Sequence, residues 1–242
     1  MKLSLNIRLV RLFGADIHLH STFFLFVLLF SAMTVSEHGW DALPLMVAYY
    51  LSGFASVLIH EYGHIFVARL HGVDCRKITL HGLGGLAHLD EELERPRAEF
   101  LVALAGPVTS QILAILFWIA SGGVSSVPVG EFLANLAVIN LVIACFNVIP
   151  AYPLDGGRML HAGLRACLRK DLADALSGIV AQVLGAGLVV FGLIHGLTNA
   201  IIIGALLFLL APSSLGRGWL SRRRADKPSG EERPSGSSAV DD

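Results

Sequence analysis

Between Leu43 and Leu70 the chain is almost wholly apolar. At about 1.5 Å per residue it is long enough to cross the roughly 30 Å hydrocarbon core of a bilayer. Backbone in hydrocarbon must satisfy its own hydrogen bonds, so such a segment has to be helical. Yet this one contains His60-Glu61-Tyr62-Gly63-His64. Ionisable groups at that depth are costly and face a cavity, a partner or a metal. Positions i and i+4 share a helix face, so His60 and His64 can hold one ion together. Glu61 lies one step round, placed to reach a water on that ion.

The rest of the chain has the same character. Of its 242 residues, 54% are hydrophobic and 15% charged, and the mean hydropathy is +0.66. These values exclude an ordinary soluble domain. No basic stripe with interleaved aromatics is present, which argues against a nucleic-acid partner. Cys75, Cys145 and Cys167 have neither paired nor CxxC spacing and read as small apolar fillers.

Six spans can be drawn, at about 21–36, 42–70, 98–121, 131–157, 172–194 and 197–212. The first is read as a retained span, because its basic flank is long and no A-x-A cleavage site follows it. All 18 Lys and Arg fall in four groups: before span one, and after spans two, four and six. The other three connections carry none. The positive-inside rule then places both termini in the cytoplasm and the chain in a multi-pass plasma membrane (cell inner membrane) setting, with the lipid bilayer as its solvent.

Two short stretches alternate like strands: Leu3 to Leu19, with a turn at Phe13-Gly14-Ala15-Asp16, and Lys77 to Leu89, with Gly82-Leu83-Gly84-Gly85 between its arms. Both fall on the cytoplasmic side and are expected to form a small sheet at the membrane edge. The expected fold is therefore an all-α polytopic membrane protein of about six transmembrane helices with short cytoplasmic-side β-hairpins. It divides into an N-terminal amphipathic hairpin segment (1–20), a six-span membrane domain (21–212, core 42–157) and a tail (213–242). The tail is rich in Ser, Gly, Pro, Arg and Asp, a composition of disorder.

Two histidines do not complete a zinc site, which needs a third protein ligand and an open position. Asp155 alone combines an acidic side chain, apolar surroundings and suitable depth. His60 and His64 precede the boundary marker Arg69 by nine and five residues, or roughly 8–14 Å into the membrane. Asp155 lies near the inner end of span four. Pro150 and Pro153 remove backbone donors there, and Gly156-Gly157 permits a sharp turn, so an irregular backbone lining a cavity is expected.

At this point the residues resemble a known family. His60-Glu61-x-Gly63-His64, followed by Ala68 and Gly72, is similar to the zinc motif of site-2 proteases. Asn147-x-x-Pro150-x-x-x-Leu154-Asp155-Gly156-Gly157, about 90 residues further on, resembles their second motif. Ala105-Gly106-Pro107 resembles a third element, with Ser110 standing where Asn is often found. A hydroxyl makes fewer hydrogen bonds than an amide.

The resemblance implies an intramembrane zinc metalloprotease with one Zn2+ on His60, His64 and Asp155. It implies Glu61 as general base, Asn147 as an amide donor to the developing oxyanion, and Gly82, Gly84 and Gly85 as an edge strand receiving substrate. The substrate would be a transmembrane segment of another protein. The chain has no room for the PDZ or nucleotide-sensing modules of some relatives, so regulation would fall to a membrane partner or to substrate access. Two readings from other classes stand beside this one. They are a catalytically silent scaffold of the same fold, and a metal-ion transporter using the same three side chains.

Overall fold

The computed structural model describes residues 6–81, 84–89 and 95–211. Gly82 and the 213–242 tail lie outside the described residues.

The chain opens with strands β1 (Asn6–Leu12) and β2 (Ala15–His20), an antiparallel hairpin. Phe13 and Gly14 both have positive φ, 45° and 82°. Such a two-residue turn matches the twist of the paired strands. Then come helices α1 (Ser21–His38) and α2 (Leu43–Leu70). Gly72, at φ 82°, reverses the chain into β3 (Cys75–His81), which pairs with β4 (Gly84–Leu89). Because α1 leaves the sheet and α2 returns to it, β3 starts out parallel to β2. The two expected hairpins thus join into one sheet of order β1-β2-β3-β4 among the described residues.

One face of this sheet is apolar. Ala15, Ile17 and Leu19 alternate inward on β2, and Cys75, Ile78 and Leu80 do so on β3. The register shift between Cys75 and Lys77 accounts for the change of parity on β3. They pack on Phe23 of α1 and Ile65 of α2, flanked by Phe54, Leu58 and Tyr62. β3 runs back along α2 rather than away from it. From Cys75 to Leu80 it rises about 16 Å, enough to return past the nine residues, about 13 Å of helix, that separate Leu70 from Glu61. Gly85 on β4 therefore reaches the level of Glu61.

Helices α3 (Pro96–Gly123), α4 (Val127–Val148), α5 (Asp155–Cys167), α6 (Lys170–His195) and α7 (Thr198–Leu210) complete the fold. Five helices among the described residues (α1, α2, α3, α4 and α6) are long and apolar enough to cross a membrane. The sixth expected span, α7, is a shorter apolar helix. It lies against α6 through Gly185 and Gly204, where a Cβ on either would come within 2.7 Å of the other helix's backbone. Small residues of this kind let membrane helices approach closely. Leu28, Trp118, Ile119, Leu193 and Leu209 point outward and exposed, as lipid-facing side chains do. The protein is a multi-pass membrane protein.

One boundary differs from the sequence expectation. The span drawn as 131–157 is two helices: α4 ends at Val148, and Asp155 opens α5. The intervening 149–154 segment folds back on itself, with Ala151 N donating to Ile149 O and Leu154 N to Ala151 O. Gly156 and Gly157 make the reversal possible. A Cβ on Gly156 would strike the carbonyl oxygens of Val148 and Ile149, and one on Gly157 would strike the backbone of Ala151 and Tyr152. Burying Ala151 against Ala181 of α6 and Leu207 of α7 holds the segment in place.

Candidate metal centre

Helix α2 presents His60 and His64 one turn apart on its inner face, only 3% and 4% exposed. The start of α5 presents Asp155, 8% exposed. Asp155 Oδ2 lies 3.0 Å from His60 Nε2 and 3.2 Å from His64 Nε2, and the two Nε2 atoms are 3.2 Å apart. These three are the one group among the described residues able to offer a metal three such ligand atoms.

The outer nitrogens decide what the inner ones can do. His64 Nδ1 is 2.7 Å from the carbonyl oxygen of Val102 on α3. A carbonyl only accepts, so Nδ1 carries the proton and Nε2 is left as a bare lone pair. His60 Nδ1 is 2.8 Å from Ser110 Oγ, also on α3. Donating to that hydroxyl leaves His60 Nε2 bare as well. Two lone pairs and a carboxylate oxygen then face one another in a buried space, an arrangement that a cation relieves. A tetrahedral zinc with bonds of about 2.0 Å holds its ligand atoms about 3.3 Å apart. The observed separations of 3.0 to 3.2 Å fit it closely. Fixing each ligand imidazole through its second nitrogen is also what metal sites require.

Helix α3 supports this pair along one face, through Val102, Gly106 and Ser110. Gly106 is a contact point: a Cβ there would strike His64 Nε2 and His64 Cε1 and lie 2.6 Å from His60 Nε2. Gly63 plays the matching part on α2, where a Cβ would strike Thr109 and lie 2.9 Å from the Ala105 carbonyl. Two glycines thus bring α2 and α3 together at the level of the imidazoles.

Glu61 stands beside the three convergent side chains, and β4 closes over it. A Cβ on Gly85 would lie 2.6 Å from Glu61 Cγ and 2.8 Å from Oε1. Gly85 pairs with Leu80, and Gly84 with His81. β4 is an end strand of the sheet among the described residues. Asn147 is half-buried on α4, and its amide donates to Ile143 O of its own helix at 3.0 Å.

Sequence reasoning reached the three side chains that converge, His60, His64 and Asp155. It left Ser110 without a partner and did not find Val102. Ser110 had a signal, a polar residue at a family position in an apolar helix. Val102 had none, because it acts through its backbone carbonyl.

Comparison with known proteins agrees with this geometry. The model of peptidase family M50 matches residues 48–131 and 119–191. A zinc metalloprotease of Methanocaldococcus jannaschii is 34% identical over 204 residues, covering 82% of this chain and 56% of the relative. A putative zinc metalloprotease of Synechocystis sp. is 36% identical over 171 residues, covering 65% of this chain and 44% of the relative. The chain thus spans about half the length of the curated relatives it matches. Among solved structures, the site-2 protease from Methanocaldococcus jannaschii superposes with a TM-score of 0.67 at 30% identity, covering 85% of this chain and 93% of that one. The motif pair, the convergent side chains and the whole-chain likeness lead to one conclusion: the chain belongs to peptidase family M50.

Proposed function

We propose that this protein is an intramembrane zinc metalloprotease that hydrolyses a peptide bond within or near a transmembrane segment of another membrane protein. The observation that carries this reading is the placement of Glu61 between two things: three convergent buried ligand atoms, and Gly85 of the end strand β4, whose Cβ position abuts the Glu61 side chain. A transporter has no use for a general base beside its ion, and a scaffold has no use for either.

His60, His64 and Asp155 would hold the metal. Zinc bound there would supply Lewis acidity for activating water and polarising a carbonyl. Glu61 takes a proton from the attacking water and passes it to the leaving amine. Asn147 Nδ2 donates one N–H within α4, and its second N–H serves the developing oxyanion. A membrane helix must unwind before it can be cut, and the segment containing Gly82, Gly84 and Gly85 receives the unwound part as an added strand. Glycine at 85 lets that main chain approach Glu61 without a side chain in the way. The one-sided Lys and Arg distribution supports a cytoplasmic location for both termini and for this sheet.

The test compares cells carrying the native chain with cells carrying Glu61→Gln. N-termini of membrane-derived peptides are mapped by mass spectrometry. New termini inside spans, present with the native chain alone, support the proposal and identify a substrate. Identical profiles, with both proteins expressed and zinc-loaded, reject constitutive proteolysis.

A further inference from the structure

Beyond the metal centre, one buried polar cluster ties three helices together. His161 of α5 lies with Nδ1 2.9 Å from Glu99 Oε1 of α3 and Nε2 2.7 Å from Asp174 Oδ1 of α6. Arg165, one turn further along α5, donates to Glu99 Oε2 at 3.0 Å. His161 is 9% exposed. Both ring nitrogens face carboxylate oxygens, so His161 bridges α3 and α6. The reading of the metal centre gives this cluster no role.

The spacing along the two helices supplies one. On α3, Glu99, Val102, Gly106 and Ser110 fall at i, i+3, i+7 and i+11, a single face. The face that anchors His161 through Glu99 therefore also fixes both zinc-site imidazoles, through the Val102 carbonyl and the Ser110 hydroxyl. Gly106, pressed against those imidazoles, is seven residues above Glu99, a rise of about 10 Å. On α5, which runs antiparallel to α3, Asp155 is six residues above His161, a rise of about 9 Å. The two offsets match. Docking His161 on Glu99 thus sets Asp155 level with the His60–His64 pair. A slip of one turn along α3, about 5.4 Å, would withdraw the carboxylate from both rings. The 149–154 segment, held by Ala151 against Ala181 and Leu207, fixes Asp155 from one side, and the His161–Glu99 contact fixes α5 from the other.

We propose that His161, clamped between Glu99 and Asp174, is a positioning residue: it sets the register of α5 on α3 and so delivers Asp155 to the metal. This rests on the reading of His60, His64 and Asp155 as metal ligands. The full-length protein in detergent, stripped with a chelator, is titrated with Zn2+ against a competing chelator. It is also loaded with Co2+, whose visible absorption reports the ligand set. His161→Ala and Glu99→Gln are expected to weaken zinc binding roughly 10- to 100-fold, the range seen when support around metal ligands is removed, and to alter the cobalt spectrum. His161→Gln, which retains one donor, should lose less.

Asn140→Leu is the control. It removes the buried Asn140–Ser56 hydrogen bond between α4 and α2, so it should change thermal stability and leave zinc affinity alone. Native affinity and an unchanged cobalt spectrum in both clamp variants would overturn the proposal, whatever their stability. Glu99→Gln, nearly the same shape as the native side chain, decides the matter if His161→Ala does not fold. If the native chain binds no stoichiometric zinc, or Asp155→Ala binds it as tightly as native, the metal-site reading fails and this proposal fails with it.

Discussion

Ser110 Oγ lies 2.8 Å from His60 Nδ1, on the opposite side of the ring from Asp155. A hydroxyl fully buried in α3 thus orients an α2 histidine, and it accepts from Nδ1–H when Nε2 serves a metal. Replacing it with a methyl group leaves a buried N–H without an acceptor, which costs about 1–3 kcal/mol, and lets the ring turn. Ser110→Ala should lower zinc affinity by roughly 10- to 100-fold, as read by competition with a chelator. Unchanged affinity would show that Val102 and the packing around His60 orient the pair without it.

Gly106 abuts His60 and His64 whereas Gly85 abuts Glu61, so the two positions separate metal binding from catalysis. Alanine at 106 is better for the helix by about 1 kcal/mol, but its methyl group strikes the atoms of His60 and His64 that face Asp155. Gly106→Ala should keep the fold by circular dichroism and thermal melting while losing bound zinc. A variant that melts normally and retains one zinc would contradict the geometry.

Gly85→Val should do the reverse. Its side chain meets Glu61 rather than the ligands. Zinc content should match the native chain, while cleavage of a reporter membrane segment falls by roughly 10²- to 10⁴-fold, the usual contribution of a general base. Native turnover in this variant would mean that β4 does not stand against Glu61 during catalysis.

Gly185 tests the α6–α7 pair, where its Cβ would come within 2.7 Å of Gly204 O and of the Phe208 backbone. Gly185→Leu should push the helices apart and destabilise the protein by about 1–3 kcal/mol, as overpacking does, in a denaturant titration in detergent. Because α7 also buries Leu207 against Ala151, zinc affinity should fall with stability here. In Asn140→Leu, stability alone should change.

How far the sequence could be read differs by residue. His60, Glu61 and His64 were legible because a single helical turn places them, with no tertiary contact needed. Asp155 was legible as an acid in an apolar setting near the right depth. Its route was not. A continuous span over 131–157 was expected, whereas the chain breaks after Val148 and reverses. Prolines announce an irregularity but not its direction. That depends on Gly156 and Gly157 fitting against the 148–152 backbone, and on Ala151 finding Ala181 and Leu207. The strands were legible from alternation, but their union was not, because β2 and β3 meet only after α1 and α2 have folded back.

By itself, the sequence determined what local chemistry determines: which stretches are apolar enough to be helices in lipid, which flanks are charged, and which ionisable groups sit where none should be. Tertiary structure alone decided what depends on residues distant in the chain. It set the height of Asp155 beside His60 and His64, the Val102 carbonyl and Ser110 hydroxyl that turn the two rings, the approach of Gly85 to Glu61, and the clamp of Glu99, His161 and Asp174. The physical reason is range. Hydropathy and helical period act within a few turns, whereas ligand geometry is set by contacts between helices, and a shift of a few ångströms along their axes breaks it.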